Sequence, residues 1–374
     1  MRKSVLTAGA GILALTATLV SVPAQAGGHD REPQVIASGL VGPLSLDVGH
    51  GGDVLVSQSF AGLLSKVDKR GRVTNLHQLE AEAGEIVGVD NELGYTYHIE
   101  NVFSGEVPTS HIVKTSKKGH RTVVSDDFWA YEMEHNPDAG MTYGFRDLSQ
   151  SCADEVATLE EAAGLPLNEY TGIVESHAYQ LEVQDGNIYV ADAAMNAVLK
   201  VDEQTGEIST VAVLPATTIT FTAELEAALE SMLPPGADVP DCVVGASYTP
   251  EPVPTDVKVD RHGKLYVSTL QGAAGEILPL SKIYHVDPET GRSTEVAGGM
   301  HGATGLDLAP TGSFLVVAEM FAGEVSMVRL RNWTGSAETI FTADSPADVD
   351  VSGRTVFATT GTFGDGALVK YRLP

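Results

Sequence analysis

The stretch that decides the fold is "YVADAAMNAVLKVDEQTG", Tyr189 to Gly206: an apolar run ending in an acid, a turn, a second apolar run interrupted by one lysine, and another turn. The second run occurs six times, as "LSKVD", "IVKTS", "VLKVD", "IYHVD", "MVRLR" and "LVKYR", beginning at Leu64, Ile112, Val198, Ile283, Met327 and Leu368. Alternating and β-branched residues between Gly, Asp and Asn turns favour strands over helices. The chain therefore repeats one β unit.

The spacing of these units predicts a propeller. The strand before each copy has its centre at a residue 42, 92, 77, 50 or 41 positions after the previous one: Val56, His98, Val190, Val267, Val317 and Ala358. A four-stranded propeller blade takes about 40 to 50 residues, so the two long steps contain insertions. A first strand precedes each pair and a threonine-rich strand follows it. We expect an all-β, six-bladed β-propeller.

The two ends of the repeat complement each other. The last unit stops at "LVKYRLP" before a fourth strand, whereas "PQVIASGL", Pro33 to Leu40, is a strand with no unit ahead of it. Pairing this strand into the last unit would complete six sheets and cover an edge otherwise open to aggregation. We expect a propeller over residues 27–374, closed by its N-terminal strand.

The first residues have the order of a cleavable secretory signal: Arg2 and Lys3, an apolar stretch from Val5 to Val22, and "AQA" ending at Ala26. We predict a signal peptide at 1–26 and a secreted, extracellular protein without a membrane span after cleavage. The formal net charge is −27. An acidic surface repels phosphate backbones and anionic lipids, so we expect no nucleic-acid partner.

Two insertions interrupt the repeat, at about 126–176 and 216–253. Both join the last strand of one unit to the first strand of the next, and such connections emerge on one face of a propeller, so we expect them to touch and cap that face. Each contains a predicted helix, beginning at Ser151 and at Thr222. The two cysteines, Cys152 and Cys242, lie one in each insertion. In an exported chain this pair favours a disulfide, with two free thiols as the alternative.

A basic residue stands at the same place in all six third strands, and the strand before it ends in an acid in three of them. Consecutive antiparallel strands, or neighbouring blades, would bring such charges together as ion pairs. We expect these pairs among Glu100, Lys114, Asp192, Lys200, Glu319 and Arg329. A residue repeated in every blade describes the blade rather than a unique site, so we assign these residues a structural role.

Candidate ligand-binding residues lie where first strands begin, at the mouth of the central channel. Matched positions hold Ser45, Gln180, Asp256, Gly305 and Asp348, and His177 precedes one strand. We predict ligand binding by His177, Gln180, Asp256 and Asp348. Asp256 and Asp348 are candidate ligands for calcium, which takes about six to eight oxygens, and a water-filled channel is the alternative. The sequence has no nucleophile elbow, H-E-x-x-H, P-loop or C-x-x-C, so no catalytic residue is predicted.

Several phrases together resemble the ScyD/ScyE family of exported propeller proteins, itself similar to NHL-repeat propellers. They are "DDFWAYEMEHNPDAG", "ESHAYQLEV", "IYVADAAMNAVLKVDEQTGEISTVAVLP", "VPTDVKVDRHGKLYVSTLQG" and "GALVKYRLP". The resemblance covers nearly all of the chain after the signal and implies the same six-bladed fold, without implying a reaction. Where it predicts "DSNPYGL", the chain has "ESHAYQL" from Glu175 to Leu181.

These observations predict a secreted, non-catalytic binding or scaffold propeller. We expect a monomer that holds a small molecule or another extracellular protein at the capped mouth. The alternative is a calcium-dependent hydrolase of the lactonase or esterase kind, with its metal in the channel, and it depends on fold analogy alone. Calcium is the one cofactor that either reading considers.

Overall fold

The computed structural model describes residues 32–49, 51–80, 83–234, 237–330 and 337–374. The predicted signal peptide, 1–26, lies outside the described residues. The described chain divides into two compact units. The smaller unit consists of Met141–Thr171 and Ala216–Pro250, and the larger unit of Glu32–Gly140, Gly172–Pro215 and Glu251–Pro374.

The described residues are mostly β, with four short α-helices. Up to the middle of the chain the elements are β1 (Gln34–Leu40), β2 (Ser45–Val48), β3 (Val54–Gln58), β4 (Leu63–Val67), β5 (Val73–Gln78), β6 (Gly84–Glu92), β7 (Tyr95–Val102), β8 (Thr109–Thr115), β9 (Arg121–Val123), α1 (Phe128–His135), β10 (Thr142–Arg146), α2 (Gln150–Ala163), β11 (Tyr170–Thr171), β12 (Ala178–Gln184), β13 (Asn187–Asp192), β14 (Ala197–Asp202) and β15 (Ile208–Val213).

The second half contains β16 (Ile219–Thr220), α3 (Ala223–Met232), β17 (Ser247–Thr249), β18 (Pro254–Val259), β19 (Leu265–Thr269), α4 (Gly272–Ile277), β20 (Ser281–Val286), β21 (Ser293–Met300), β22 (Ala303–Leu308), β23 (Phe314–Glu319), β24 (Glu324–Arg329), β25 (Ala337–Thr342), β26 (Val349–Ser352), β27 (Thr355–Thr360) and β28 (Gly366–Arg372). Single 3₁₀ turns lie at Ser59–Ala61 and Asp241–Val243.

The larger unit contains six four-stranded antiparallel sheets, here called I to VI in chain order. Sheets I to V are β2–β5, β6–β9, β12–β15, β18–β21 and β22–β25, each a simple meander. In sheet VI the order is β1-β28-β27-β26, so the N-terminal strand supplies the fourth strand. Val35 lies opposite Val369 and Leu40 opposite Gly366 in this antiparallel pairing. The predicted pairing of the N-terminal strand with the last unit is confirmed.

Apolar side chains fill the junctions between successive sheets. Clusters of buried residues span sheets I and II, II and III, III and IV, IV and V, and V and VI. A sixth cluster joins sheet VI back to sheet I, where Leu46 and Val56 pack with Leu368 and with Leu40 of β1. Both faces of each sheet are apolar because a neighbouring sheet covers each face. This explains why β13, between two neighbours, is buried at five of its six positions.

The smaller unit has a sheet of its own, in the order β11-β10-β17-β16. Phe145 of β10 lies opposite Tyr248 of β17, and its ring centroid is 4.9 Å from those of Tyr248 and Phe221. The sequence predicts helices in this part of the chain but no sheet. These strands have two to five residues, too few for a two-residue periodicity to stand out.

The disulfide Cys152–Cys242 is present, as predicted, and joins α2 to the 3₁₀ turn 90 residues later. Thr222 caps α3, as predicted, by accepting a hydrogen bond from the Leu225 N–H. The predicted start of the other helix is wrong by two residues. Ser149 rather than Ser151 caps α2, because the Ser149 hydroxyl accepts the N–H of Cys152.

Candidate functional site

The first strands of the larger unit bring a set of carboxyl groups together. The set comprises Asp256 and Asp348, at the matched positions of the repeat, and five further acids on first strands. Asp47, Glu182, Asp307 and Asp350 each lie two residues after a matched position, where they face the same side of the strand, and Asp90 lies on the first strand of sheet II. Lys258 occupies the corresponding place in sheet IV. We call these seven carboxyls and the lysine the acidic cluster.

Carboxyl oxygens of the acidic cluster accept hydrogen bonds from the main chain of the next sheet. At the matched positions, Asp348 accepts the Leu46 N–H of sheet I at 2.7 Å, and Asp256 accepts the Leu306 N–H of sheet V at 2.8 Å. Farther along the strands the same contact joins Asp90 to Val183, Asp307 to Val351 and Asp350 to Val48. Main-chain donors on the free edge of the first strands of sheets I, III, V and VI are thereby satisfied, since no fifth strand pairs with them.

Asp348 also links opposite parts of the larger unit. Its Oδ2 atom accepts the side-chain amide of Gln180, from sheet III, at 2.9 Å as well as the Leu46 N–H. Gln180 and Asp348, both predicted to bind ligand, are therefore brought together, and both are buried. The contact engages the amide and the carboxylate with each other and joins sheet III to sheet VI.

Asp256 and Asp348 were predicted as calcium ligands, and the structure gives their oxygens other partners. Oδ1 of Asp256 accepts the Val257 N–H at 2.7 Å and lies 3.5 Å from Lys258 Nζ, while Oδ2 accepts the Leu306 N–H. Oδ1 of Asp348 accepts the Val349 N–H. No direct contact joins the two aspartates among the described residues. A calcium ion at this place would compete with main-chain donors and with an ammonium group.

Lys258 is the single cation of the acidic cluster. Its Nζ atom lies 3.5 Å from Glu182 and 3.5 Å from Asp256, with 13% of the side chain exposed. Burial alone would lower the pKa of Lys258, but Asp256 and Glu182 raise it well above its ordinary 10.5. This lysine therefore stays charged and compensates part of the carboxylate charge.

The remaining charge is reduced by protonation. Burial raises the pKa of Glu182 to about 8, although Lys258 lowers it in part. Burial and the neighbouring Asp256 raise the pKa of Asp348 to about 8, and burial raises that of Asp350 to about 6. The pKa of Asp47 is raised well above its ordinary value by burial and by Asp90. At neutral pH the acidic cluster therefore holds protons that exposed carboxyls would release.

His177, also predicted to bind ligand, precedes β12 and forms an ion pair with Glu85 at the start of β6. Burial would lower the pKa of His177, but the carboxylate of Glu85 raises it above the ordinary 6.5. The ring lies between two aromatic neighbours, with centroids 6.2 Å from Phe103 and 5.7 Å from Tyr179. The ring of His177 contacts Glu85, its N–H donates to Asp192 and its carbonyl accepts the Ala193 N–H, so it belongs to a different part of the site from the other three predicted residues.

Phe103 introduces a feature that the sequence analysis missed. In sheets I, II, V and VI the connection between the second and third strands carries one phenylalanine, in "SFAG", "VFSG", "MFAG" and "TFG". We call these four residues the aromatic rim: Phe60, Phe103, Phe321 and Phe363. Strands alternate in direction, so this connection lies at the same edge of a sheet as the start of its first strand. The aromatic rim and His177 therefore share one edge of the larger unit.

Three of the four residues of the aromatic rim are exposed to solvent, and Phe321 is half-buried. Phe60, Phe103 and Phe363 are 49%, 41% and 43% exposed, and Phe60 stacks on Phe363 with centroids 6.4 Å apart. One face of Phe60 packs on Gly42, where a Cβ atom would lie 2.3 Å from the ring, and the same relation holds between Phe321 and Gly302. The absence of a side chain at these two glycines therefore leaves room for the rings of Phe60 and Phe321. The signal that could have found these residues is a phenylalanine followed by glycine one or two positions later in the same connection of four sheets.

The predicted ion pairs of the blades are wrong in their partners. Asp192 lies opposite Ala197 and Lys200 opposite Tyr189, so two residue pairs lie between them. Glu319 lies opposite Glu324, and Arg329 opposite Phe314. The register therefore does not bring either predicted pair together. Arg329 instead lies 3.4 Å from Glu338 on the adjacent strand.

The acids that end the second strands have a different function. Asp192 accepts the His177 N–H at 2.9 Å, and Glu319 accepts the His301 N–H at 2.9 Å, each just before the first strand of the same sheet. Gln58 does the same for Val41. These three side chains fix the connections that enter sheets I, III and V, and all three are buried.

Glu100 and Lys114, the remaining predicted pair, both form ion pairs with other residues. Lys114 contacts Glu203 of sheet III, so an inter-sheet ion pair does exist at this position. Glu100 contacts Arg121 on β9 and lies near two histidines. The cross-strand register places Glu100 opposite His111, and Lys114 opposite Tyr97, which explains why they do not meet.

The comparisons with known proteins support the fold. No family model and no curated protein matches this chain. It is similar to the PQQ-bound aldose sugar dehydrogenase of Streptomyces coelicolor, with a TM-score of 0.55 and 13% identity over 90% of this chain and 96% of that one. It is also similar to a putative oxidoreductase (glucose dehydrogenase) of Thermus thermophilus, with a TM-score of 0.52 and 14% identity over 91% and 99%. Both are β-propeller proteins. At these identities the likeness concerns the fold alone, and the chain has a β-propeller fold.

Proposed function

We propose that this chain is a secreted, non-catalytic binding protein of the ScyD/ScyE type, built as a six-bladed β-propeller that β1 closes. Its ligand or partner would bind at the edge that carries the aromatic rim. The ligand chemistry that fits is an apolar group attached to a positive charge.

Six blades and closure are supported by the sheets of the larger unit. Sheet VI takes its fourth strand from the N-terminal end, and its Asp348 and Asp350 accept N–H groups from sheet I, 302 residues away. The seventh sheet of the chain belongs to the smaller unit, so it does not count as a blade in this proposal.

The observation that carries the binding proposal is the exposed aromatic rim. Three phenylalanines exposed by 41% to 49% on one edge form the kind of apolar patch that marks an interaction surface in a soluble protein. Aromatic faces also attract cations. The net charge of −27 adds a field that draws positively charged ligands to the surface.

The hydrolase alternative has one observation in its favour, the gathering of seven carboxyls in the acidic cluster. Those of Asp256 and Asp348 accept hydrogen bonds from main-chain donors of neighbouring sheets, and Lys258 lies beside Asp256. A catalytic metal site keeps carboxylates free to bind the ion and one position open for substrate. The hydrogen bonds of the acidic cluster fit a structural role better.

Secretion is supported by the disulfide, since such bonds persist in oxidising compartments. Among the described residues there is no helix with the length and apolar character needed to span a bilayer.

The test uses a fluorescein-labelled peptide of alternating leucine and lysine as the probe, with binding followed by fluorescence anisotropy. Phe60→Ser combined with Phe363→Ser should weaken binding about tenfold or more, because two ring contacts are lost. The matched control is Leu93→Ser, which removes an apolar side chain that is 84% exposed in the turn between β6 and β7, at the opposite edge. The control should bind like the unaltered protein.

Two results would overturn the proposal. One is equal binding by the rim variant and the unaltered protein. The other is equal binding of a second peptide in which glutamate replaces lysine, since the charge argument would then be wrong. Calcium-dependent turnover of a panel of lactones by the unaltered protein would favour the hydrolase instead.

A further inference from the structure

Three side chains with metal-binding atoms meet between sheets I and II, outside the acidic cluster and the aromatic rim. His77 comes from β5, the last strand of sheet I, and His98 and Glu100 come from β7 of sheet II. Because His98 and Glu100 are two residues apart on a strand, they face the same side of it. Their ligand atoms and that of His77 all lie within 4.8 Å of one another.

The distances suit a single small ion. Nε2 of His77 and Nε2 of His98 each lie 3.0 Å from Oε1 of Glu100. Zinc bonds to imidazole nitrogen and carboxylate oxygen are about 2.0–2.2 Å, so tetrahedral ligand atoms stand about 3.3 Å apart. Small side-chain rotations would therefore admit the ion.

Burial and neighbouring charges shift the pKa values of the three side chains. Burial lowers the pKa of His98, which is fully buried, and burial together with Arg121 lowers that of His77. Burial raises the pKa of Glu100, but His98 and Arg121 together lower it by more, so the pKa lies below its ordinary value.

Oε1 of Glu100 is crowded with nitrogen neighbours. His77, His98 and Arg121 all approach this one oxygen, yet the buried Nε2 of His77 makes no hydrogen bond of acceptable geometry. A buried polar atom of this kind needs a partner. An ion between the two imidazoles would supply it.

We propose that His77, His98 and Glu100 bind one zinc ion that joins sheet I to sheet II. Two nitrogens and one oxygen form a donor set that suits zinc, while calcium and magnesium prefer all-oxygen sites. The fourth position would hold water, since His77 and Glu100 keep 18% and 16% of their side chains exposed. Arg121, 37% exposed on the edge strand β9, swings toward solvent when the ion neutralises Glu100.

The test is calorimetric titration of chelator-stripped, untagged protein with zinc chloride. We expect one ion per chain with a Kd below about 10 μM, corresponding to about 6.8 kcal/mol, and a raised Tm on zinc addition. The substitution His77→Gln should weaken binding at least about thirtyfold by removing one of three ligands. His120→Gln, at an exposed histidine on the neighbouring turn, is the matched control and should leave zinc affinity unchanged.

Cobalt provides a readout that does not depend on a variant. Four-coordinate cobalt in the unaltered protein should give strong visible absorption that zinc removes, and calcium should not compete. The proposal is overturned if zinc shows no saturable one-to-one binding, or if His77→Gln binds zinc as tightly as the unaltered protein. Binding of the peptide probe at the aromatic rim is a separate measurement, so either proposal can fail alone.

Discussion

Glu132 on helix α1 is a fully buried carboxyl with a clear consequence for stability. Burial first, and then Asp192 and Asp138, raise its pKa from the ordinary 4.5 to about 8. In the unfolded chain the group releases its proton near its ordinary pKa. The stability that the protonated carboxyl contributes is therefore complete at low pH and is lost as the pH rises through about 8.

The magnitude follows from proton linkage. Between pH 5 and pH 7 the folded state keeps this proton while the unfolded state has largely released it, so the free energy of unfolding falls by about 1.4 kcal/mol per pH unit, ~3 kcal/mol in all. Met133, the next residue on helix α1, is exposed. Small movements of the helix would let water reach the Glu132 carboxylate, which makes the change in the free energy of unfolding smaller than this value. We expect about 1–3 kcal/mol from Glu132.

Urea unfolding at pH 5 and at pH 7 measures this contribution. Glu132→Gln places a neutral amide in the same volume, so the variant should lose about 1–3 kcal/mol less stability between the two pH values than the unaltered protein. Other buried carboxyls act in both proteins and cancel in the comparison. Glu134→Gln, on the exposed side of the same helix, is the control and should follow the unaltered protein. The reasoning is refuted if Glu132→Gln shows the full pH dependence.

Three further changes test other parts of the structure. Replacing Cys152 by serine opens a loop of 90 residues and should lower stability by about 2–4 kcal/mol, seen as a lower Tm without reductant; an unchanged Tm would contradict this. Asp348→Ala leaves the Leu46 N–H and the Gln180 amide without their acceptor, and we expect a loss of about 2–4 kcal/mol in urea unfolding, against nearly none for the exposed Asp365→Ala. Lys258→Gln should cost about 3 kcal/mol at pH 8 and less at pH 5, where the neighbouring carboxyls hold protons; equal losses would argue against the charge compensation.

The larger unit could be predicted from the sequence because its signal is repeated. Six copies of a two-strand phrase predict six sheets, and the missing strand at one end matches the spare strand at the other. The pairing of Cys152 with Cys242 followed from parity and placement. These inferences need only local pattern and chain order, which the sequence contains directly.

The sheet of the smaller unit and the partners of the charged residues could not be predicted in the same way. Strand β10 pairs with β17 across about a hundred residues, and nothing local marks either strand. Asp348 was a candidate calcium ligand because it is an acid at a matched position of the repeat. The sequence does not show that its carboxylate accepts a hydrogen bond from a main-chain N–H group of another sheet. The predicted pairing of Asp192 with Lys200 is wrong because the strand register keeps the two residues apart. That register is fixed by turn length rather than by charge.

The side-chain oxygens that join one sheet to the next have a consequence for how such a chain can grow. Their donors are main-chain amides, which every residue type except proline provides. A receiving strand is therefore free to change its side chains without losing the bond. A duplicated four-stranded unit would bring its own acceptor for the unit that follows and would offer main-chain amides to the unit before it. The number of units can therefore change while the hydrogen bonds between neighbouring sheets are kept.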